Sequence, residues 1–276
     1  MDVQLYITGT PLGNLEDMTY RAVETLKNVD VILCEDTRTT RKLTTHFDID
    51  TPLRAYHDFN KEEVEDRIIE EMHDGRTFAL VSDAGMPVIS DPGFELVARM
   101  QDEGLEHVVI PSGSAFAMAL VASGIPSYEF TYFGFLPKTG GKRKKKLKEI
   151  MAHELTSVLY ESPHKIKDTV AMIRDIDESR MVSISREITK KFEQHIRRPA
   201  SEMLELLGGK VPLKGEFVIV IEGAEAESVH FDIPVAEHVE ALIKEGLTPK
   251  QAIKKVAEAR GLKKQDVYDE FHETKK

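Results

Sequence analysis

Apolar runs of four to six residues, each followed by a helix-length segment, recur five times before residue 124. The runs are Gln4 to Thr8, Val29 to Cys34, Leu53 to Tyr56, Thr77 to Val81 and His107 to Ile110. Short apolar runs bounded by turn residues read as buried strands. Between and after them, helices are expected at Met18 to Lys27, Thr37 to Phe47, Lys61 to His73, Gly93 to Asp102 and Ala115 to Ser123. Val64, Ile68, Ile69 and Met72 keep near-helical spacing, and Gly124 is placed to stop the small-residue helix before it. Repeated βα units need crossover connections, so this alternation implies an α/β sandwich with a largely parallel sheet.

A second α/β domain is expected from about Tyr128. Its strands are Phe130 to Phe133, Ser157 to Glu161, Met181 to Ser185 and Glu216 to Glu222, with helices at Lys142 to Ala152, His164 to Ile176 and Ala200 to Leu207. The expected domains are thus residues 1–123 and 128–223, joined through Ser123 to Ser127. From Ala224 to Pro234 the composition is that of a linker. The last residues, 234–276, carry three helical patterns: Pro234 to Lys244, Pro249 to Arg260 and Lys264 to Glu273. Thr248 is a candidate N-cap, and Gly246 and Gly261 are candidate stops. Three short helices suit either a helix-turn-helix-like unit or a tail packed on the second domain.

Net charge is −11 over 276 residues, which disfavours nucleic-acid binding through the whole surface. Positive charge is instead concentrated: Lys138 to Lys148, KTGGKRKKKLK, holds seven cations and no acid. Such a run is either a solvated loop or a phosphate-binding patch. The single cysteine, Cys34, permits no intrachain disulfide and sits in an apolar run as a small hydrophobe. The first ten residues lack a basic region, and no window reaches eighteen consecutive apolar residues. A cytoplasmic location is expected. No metal-ligand spacing stands out among the ten histidines.

Three polar loops follow strands of the first half, where ligands bind in parallel α/β sheets. The first, Thr8 to Leu15, is neither a G-x-G-x-x-G dinucleotide loop nor a Walker A loop. The second is Cys34-Glu35-Asp36-Thr37-Arg38-Thr39-Thr40-Arg41-Lys42. Here Asp36 or Thr37 caps the helix, or the two acids and three cations meet a polar ligand. The third, SDAGMPVISDPG from Ser82 to Gly93, is turn chemistry twice over. It is either a surface connection or a loop whose small residues let a ligand approach the backbone. In the second half Glu161-Ser162-Pro163-His164 closes a strand and opens a helix, with His164 expected to cap rather than catalyse.

The blocks TPLGNLEDMTYRA, CEDTRTTRKL, VSDAGMPVISDPGFEL, YESPHKIKDT, REITKKFE and KGEFVIVIEG occur in this order. Together they resemble the ribosomal RNA ribose-2′-O-methyltransferases of the tetrapyrrole methylase superfamily, from about Leu5 to Gly223 and into the tail. The resemblance implies two α/β domains of the class III methyltransferase type, S-adenosylmethionine folded between them, and a homodimer. It implies methylation of the 2′-hydroxyl of a cytidine in the decoding region of small-subunit (16S) rRNA. Thr10, Pro11, Asp83, Gly85, Met86, Ser114, Ala115 and Tyr160 would contact the cofactor. Glu35, Asp36 and Arg38, with Asp83 as a second carboxylate, would align the substrate and handle its proton. Arg41, Lys42, Lys142, Arg143, Lys144, Lys145 and Lys146 would hold phosphates. Two positions depart from the superfamily pattern: Met86 stands where Thr is usual, and Pro111-Ser112-Gly113-Ser114 replaces a Pro-Gly block. The alternatives are C-methylation of a cobalamin-pathway tetrapyrrole, which needs no lysine run, and a non-catalytic RNA-binding assembly factor.

Overall fold

The computed structural model describes residues 3–225 and 233–273. Residues up to Ala224 form one compact unit, and the C-terminal residues form a second. The first sheet uses β1 (Leu5–Thr8), β2 (Val31–Cys34), β3 (Leu53–Ala55), β4 (Phe78–Val81) and β5 (His107–Ile110) in the order β3-β2-β4-β1-β5. Every pairing is parallel, as the βα alternation requires. Strands β2 and β4 are buried at every position, so they read as continuous apolar runs rather than alternating ones. Helices α1 (Tyr20–Asn28), α2 (Thr37–His46), α3 (Lys61–His73) and α4 (Phe94–Asp102) make the connections.

Strand order fixes where a ligand can sit. From β1 the chain crosses β4 to reach β2; from β4 it crosses β1 to reach β5. The loops leaving β1 and β4 therefore part in opposite directions and open a crevice at the strand ends. An antiparallel bridge pins the two loops there: Thr10 donates its N–H to the Gly85 carbonyl at 2.8 Å and accepts from the Gly85 N–H at 3.0 Å.

Helix α5 (Ala115–Ser123) ends at Gly124 in the left-handed conformation, as expected. Its partners differ from the expectation that it simply closes the first half. Ala119 and Leu120 pack with Val158, Val218 and Val220 of the second sheet. Helix α5 thus lies against the second sheet, and Leu12 of the loop after β1 joins the same cluster.

The second sheet is β6 (Phe130–Phe135), β7 (Thr156–Glu161), β8 (Met181–Arg186), β9 (Gln194–Pro199) and β10 (Phe217–Ile221), in the order β6-β7-β10-β8-β9. Only β6 with β7 is parallel; the other pairings are antiparallel. Strand β9 is missing from the sequence expectation. It is a polar edge strand, QHIRRP, whose sequence carries no apolar run. Helices α6 (Gly140–Met151), α7 (Ile166–Ile176) and α8 (Ala200–Leu206) complete this half. Helix α7 starts two residues after His164, which is exposed, and Lys165 occupies the N-cap position. The capping role expected of His164 is therefore corrected.

The C-terminal unit has its own core, with Val239, Ala252, Val256, Val267 and Phe271 buried among helices α9 (Val235–Lys244), α10 (Pro249–Arg260) and α11 (Lys264–Glu273). The Gln251 side chain accepts from the Thr248 N–H at 3.1 Å, and Gly261 caps α10 at φ 63°. Most of the expected linker, residues 226–232, lies outside the described residues.

Candidate functional site

The loop after β4 is held in a conformation few residues choose. Gly85 and Gly93 have φ of 84° and 132°; Val88 and Ser90 have 74° and 67°. Positive φ on a β-branched valine is a genuine outlier and is sustained only by surrounding structure. That structure is visible. A Cβ on Gly93 would come within 2.6 Å of Leu80 Cδ2, so the chain lies directly on the core. Tyr132, next to a register shift in β6 at Gly134, meets the Ser90 hydroxyl at 2.7 Å. Gly9, across the crevice, has no room for a side chain, because a Cβ there would meet Met86 Sδ at 2.7 Å. Met86 thus packs down onto Gly9.

Two cavities result. The larger, about 400 Å³, is lined by Asp83, Gly85, Met86, Ser114, Ala115 and Tyr160, all expected at a cofactor. Leu12, Ile89, Asp91, Phe135, Glu161 and Phe217 also line it, and the sequence reading did not single these out as site residues. Asp91 was legible only as a turn residue, because nothing in sequence shows the loop folding back over Asp83. Tyr160 is held edge-on to Tyr132 and Phe135, and its hydroxyl accepts from the Phe116 N–H at 3.3 Å. The mix of apolar walls and a few convergent polar groups is that of a small-molecule site.

The smaller cavity, about 200 Å³, lies between the β1 loop and the start of α2. Thr10 and Pro11, expected on the cofactor, line this space. Lys42 lines it too, and Asp83 lines both cavities.

Four carboxylates differ in what surrounds them. Asp36 accepts from the Arg38 backbone N–H at 2.8 Å and from its guanidinium at 2.7 and 3.0 Å. Those bonds hold its pKa down to about 2. Asp36 is therefore the helix N-cap, and a weak base. Glu35 is raised by desolvation and then by Asp83; it lines neither cavity. Asp83 is raised by desolvation, although the Asp36 backbone N–H bonds to it. Asp91 is pushed up to about 7, first by burial and then by Glu35 and Asp83. Acids that oppose one another's ionisation in a cleft form a seat for a cation.

The basic run forms α6. Lys142, Lys144 and Lys145 are exposed, while Lys146 lies over the Phe133 ring and pairs with Glu149 at 3.4 Å. Arg143 corrects the expectation of a phosphate contact: it is buried and donates to the Glu161 carboxylate and the Thr169 hydroxyl. Glu161 also accepts from Thr169 Oγ1 at 2.7 Å and from the Ser162 N–H at 2.8 Å. The pair anchors the basic helix to the wall of the larger cleft. Arg41 is exposed on α2, and Arg38 pairs with Asp36. Among the described residues no group of three or more potential ligands is placed to hold a metal.

Residues 4–204 match the model of the Tetrapyrrole (Corrin/Porphyrin) Methylases. In three dimensions the chain is similar to a cobalamin biosynthetic enzyme, cobalt precorrin-4 methyltransferase, with a TM-score of 0.60 and 17% identity over 79% of this chain and 94% of that one. Uroporphyrin-III-C-methyltransferase from Thermus thermophilus gives 0.53 and 18%, over 79% and 93%. These distant likenesses concern the fold. In sequence, the chain is 45% identical to the ribosomal RNA small subunit methyltransferase I of Halalkalibacterium halodurans, over 98% of this chain and 94% of that protein. The proteins of the same name from Bacillus subtilis and Synechocystis sp. are 43% and 39% identical, over 97% and 96% of this chain and 94% and 95% of theirs. The fold and its cleft thus define a class III methyltransferase, and the chain belongs to the tetrapyrrole methylase family, in the branch of the small-subunit ribosomal RNA methyltransferases I.

Proposed function

We propose that this chain is an S-adenosylmethionine-dependent methyltransferase that modifies the ribose 2′-oxygen of a cytidine in the decoding region of small-subunit ribosomal RNA. Near-full-length likeness to proteins named for that RNA carries the reading. The residues present fit the cofactor. Asp83 and Asp91 offer negative charge to its cationic end, Leu12, Ile89 and Phe217 offer apolar walls, and Gly85 leaves its backbone open to close approach.

When bound, S-adenosylmethionine supplies an electrophilic methyl group. The protein positions the acceptor oxygen and removes its proton as the new O–C bond forms. Asp83 is the carboxylate placed for this, because it lines both cavities and its basicity is raised. Glu35 is raised as well, by desolvation and then by Asp83. Arg41, Lys42 and the exposed lysines of α6 hold phosphates. The partner is the small ribosomal subunit, in the cytoplasm. A homodimer is also proposed, since edge strand β5 and helix α5 leave Val109 51% and Val121 87% exposed.

The test is incubation with labelled S-adenosylmethionine and small subunits lacking the modification, followed by nucleotide mapping. A single 2′-O-methylcytidine is expected. Labelling of a tetrapyrrole and not of RNA would overturn the assignment.

A further inference from the structure

The smaller cavity abuts the larger one at Asp83. Its volume, about 200 Å³, is below the roughly 300 Å³ at which whole small-molecule sites begin. It can take one ring system of a larger ligand. Pro11, Leu15 and Leu43 give it apolar walls, Thr39 and Thr40 bring hydroxyls, and Lys42 is a cation. Lys42 is exposed and has no carboxylate partner among the described residues. The Thr40 residue is only 3% exposed, and its hydroxyl has only the Cys34 thiol beside it. A buried hydroxyl held only by a thiol is weakly paired, and a ligand with a polar edge offers it a stronger partner.

Resting on the methyltransferase reading above, we infer that this cavity seats the base of one ribonucleotide extruded from the RNA. Sequence-selective RNA recognition reads splayed bases on their hydrogen-bonding edges. Apolar walls here hold the ring faces, and the threonine hydroxyls meet the edge. With the base seated beside α2, the attached ribose falls at the junction where Asp83 faces both spaces. Lys42 takes the neighbouring phosphate. No aromatic side chain lines the cavity, so selection works through hydrogen bonds and shape rather than stacking.

Thr39→Phe fills the cavity from its half-buried wall, and Thr40→Val removes the hydroxyl while Thr40→Ser keeps it. Each variant is measured for S-adenosylmethionine affinity, for affinity toward small subunits lacking the modification, and for single-turnover methylation of them. Thr39→Phe is expected to bind cofactor within about twofold of the parent and subunits within about threefold, since phosphate contacts dominate affinity. Its methylation rate is expected to fall by more than about tenfold, the loss of one discriminating contact or more. Thr40→Val should lose about tenfold, and Thr40→Ser should recover most of it. A parent that fails to methylate subunits sinks the functional reading. A parent that succeeds beside an equally fast Thr39→Phe sinks only the base seat. Loss of cofactor affinity in Thr39→Phe, with Thr40→Val and Thr40→Ser both parent-like, also overturns it.

Discussion

Asp91 is the side chain on which burial acts most plainly. Its pKa near 7 means that the folded protein holds a proton there which the unfolded chain releases near the ordinary carboxylate range. The folded state therefore binds more protons between about pH 4 and about pH 7, and stability falls as pH rises through that window. Asp91→Asn cannot ionise. Its melting temperature should exceed the parent's by an amount that grows from pH 5 to about pH 7 and then levels; a constant difference would refute the assignment. Binding of a cation should narrow the gap by favouring the ionised carboxylate. Asp83 and Asp36 separate on activity. Asp83→Asn should lower methylation by about 100-fold or more, the usual worth of a positioned general base. Asp36→Asn keeps a capping side chain and should stay within about threefold.

At the scale of elements, the β4 loop and α6 each depend on a single residue type. Gly93→Ala would force a Cβ against Leu80 at a φ that only glycine takes easily. It should cost about 1–3 kcal/mol in denaturant unfolding and weaken cofactor binding, since the loop carries Asp83 to Asp91. Arg143→Ala strands the Glu161 carboxylate in the core and should cost about 3–5 kcal/mol. Lys144→Ala, one position along on the exposed face, should leave stability unchanged within about 0.5 kcal/mol. An equal cost for the two would refute the separation. In sequence these neighbours are indistinguishable members of one basic run. The helical period turns one inward and the other outward, and only the presence of Glu161 and Thr169 beneath makes burial tolerable.

For the molecule as a whole, charge is distributed against its net sign: an acidic protein presents lysines on one face of one helix. Replacing Lys142, Lys144 and Lys145 together should reduce the salt dependence of subunit binding by nearly one unit of slope per residue. Cofactor affinity, set in the cleft, should not change. An unaltered slope would place the RNA elsewhere. The two halves meet through α5, so the cleft belongs to neither sheet alone.

Sequence by itself determined the local matters: which apolar runs are strands, where Gly124 and Gly261 end helices, and that the β1, β2 and β4 loops are polar and small. These follow from periodicity and backbone freedom, which act over a few residues. The resemblance carried by six short blocks extended this to the family and to the cofactor loop. Tertiary structure decided what depends on distant neighbours. It turned the polar strand β9 into a sheet edge by pairing it with β8. It set Thr10 and Pro11 in a separate cavity, folded Asp91 over Asp83 so that burial raises its pKa, and drew Arg143 from solvent into an ion pair. Desolvation and Coulomb energies depend on what packs around a group in space, and no spacing along the chain encodes that.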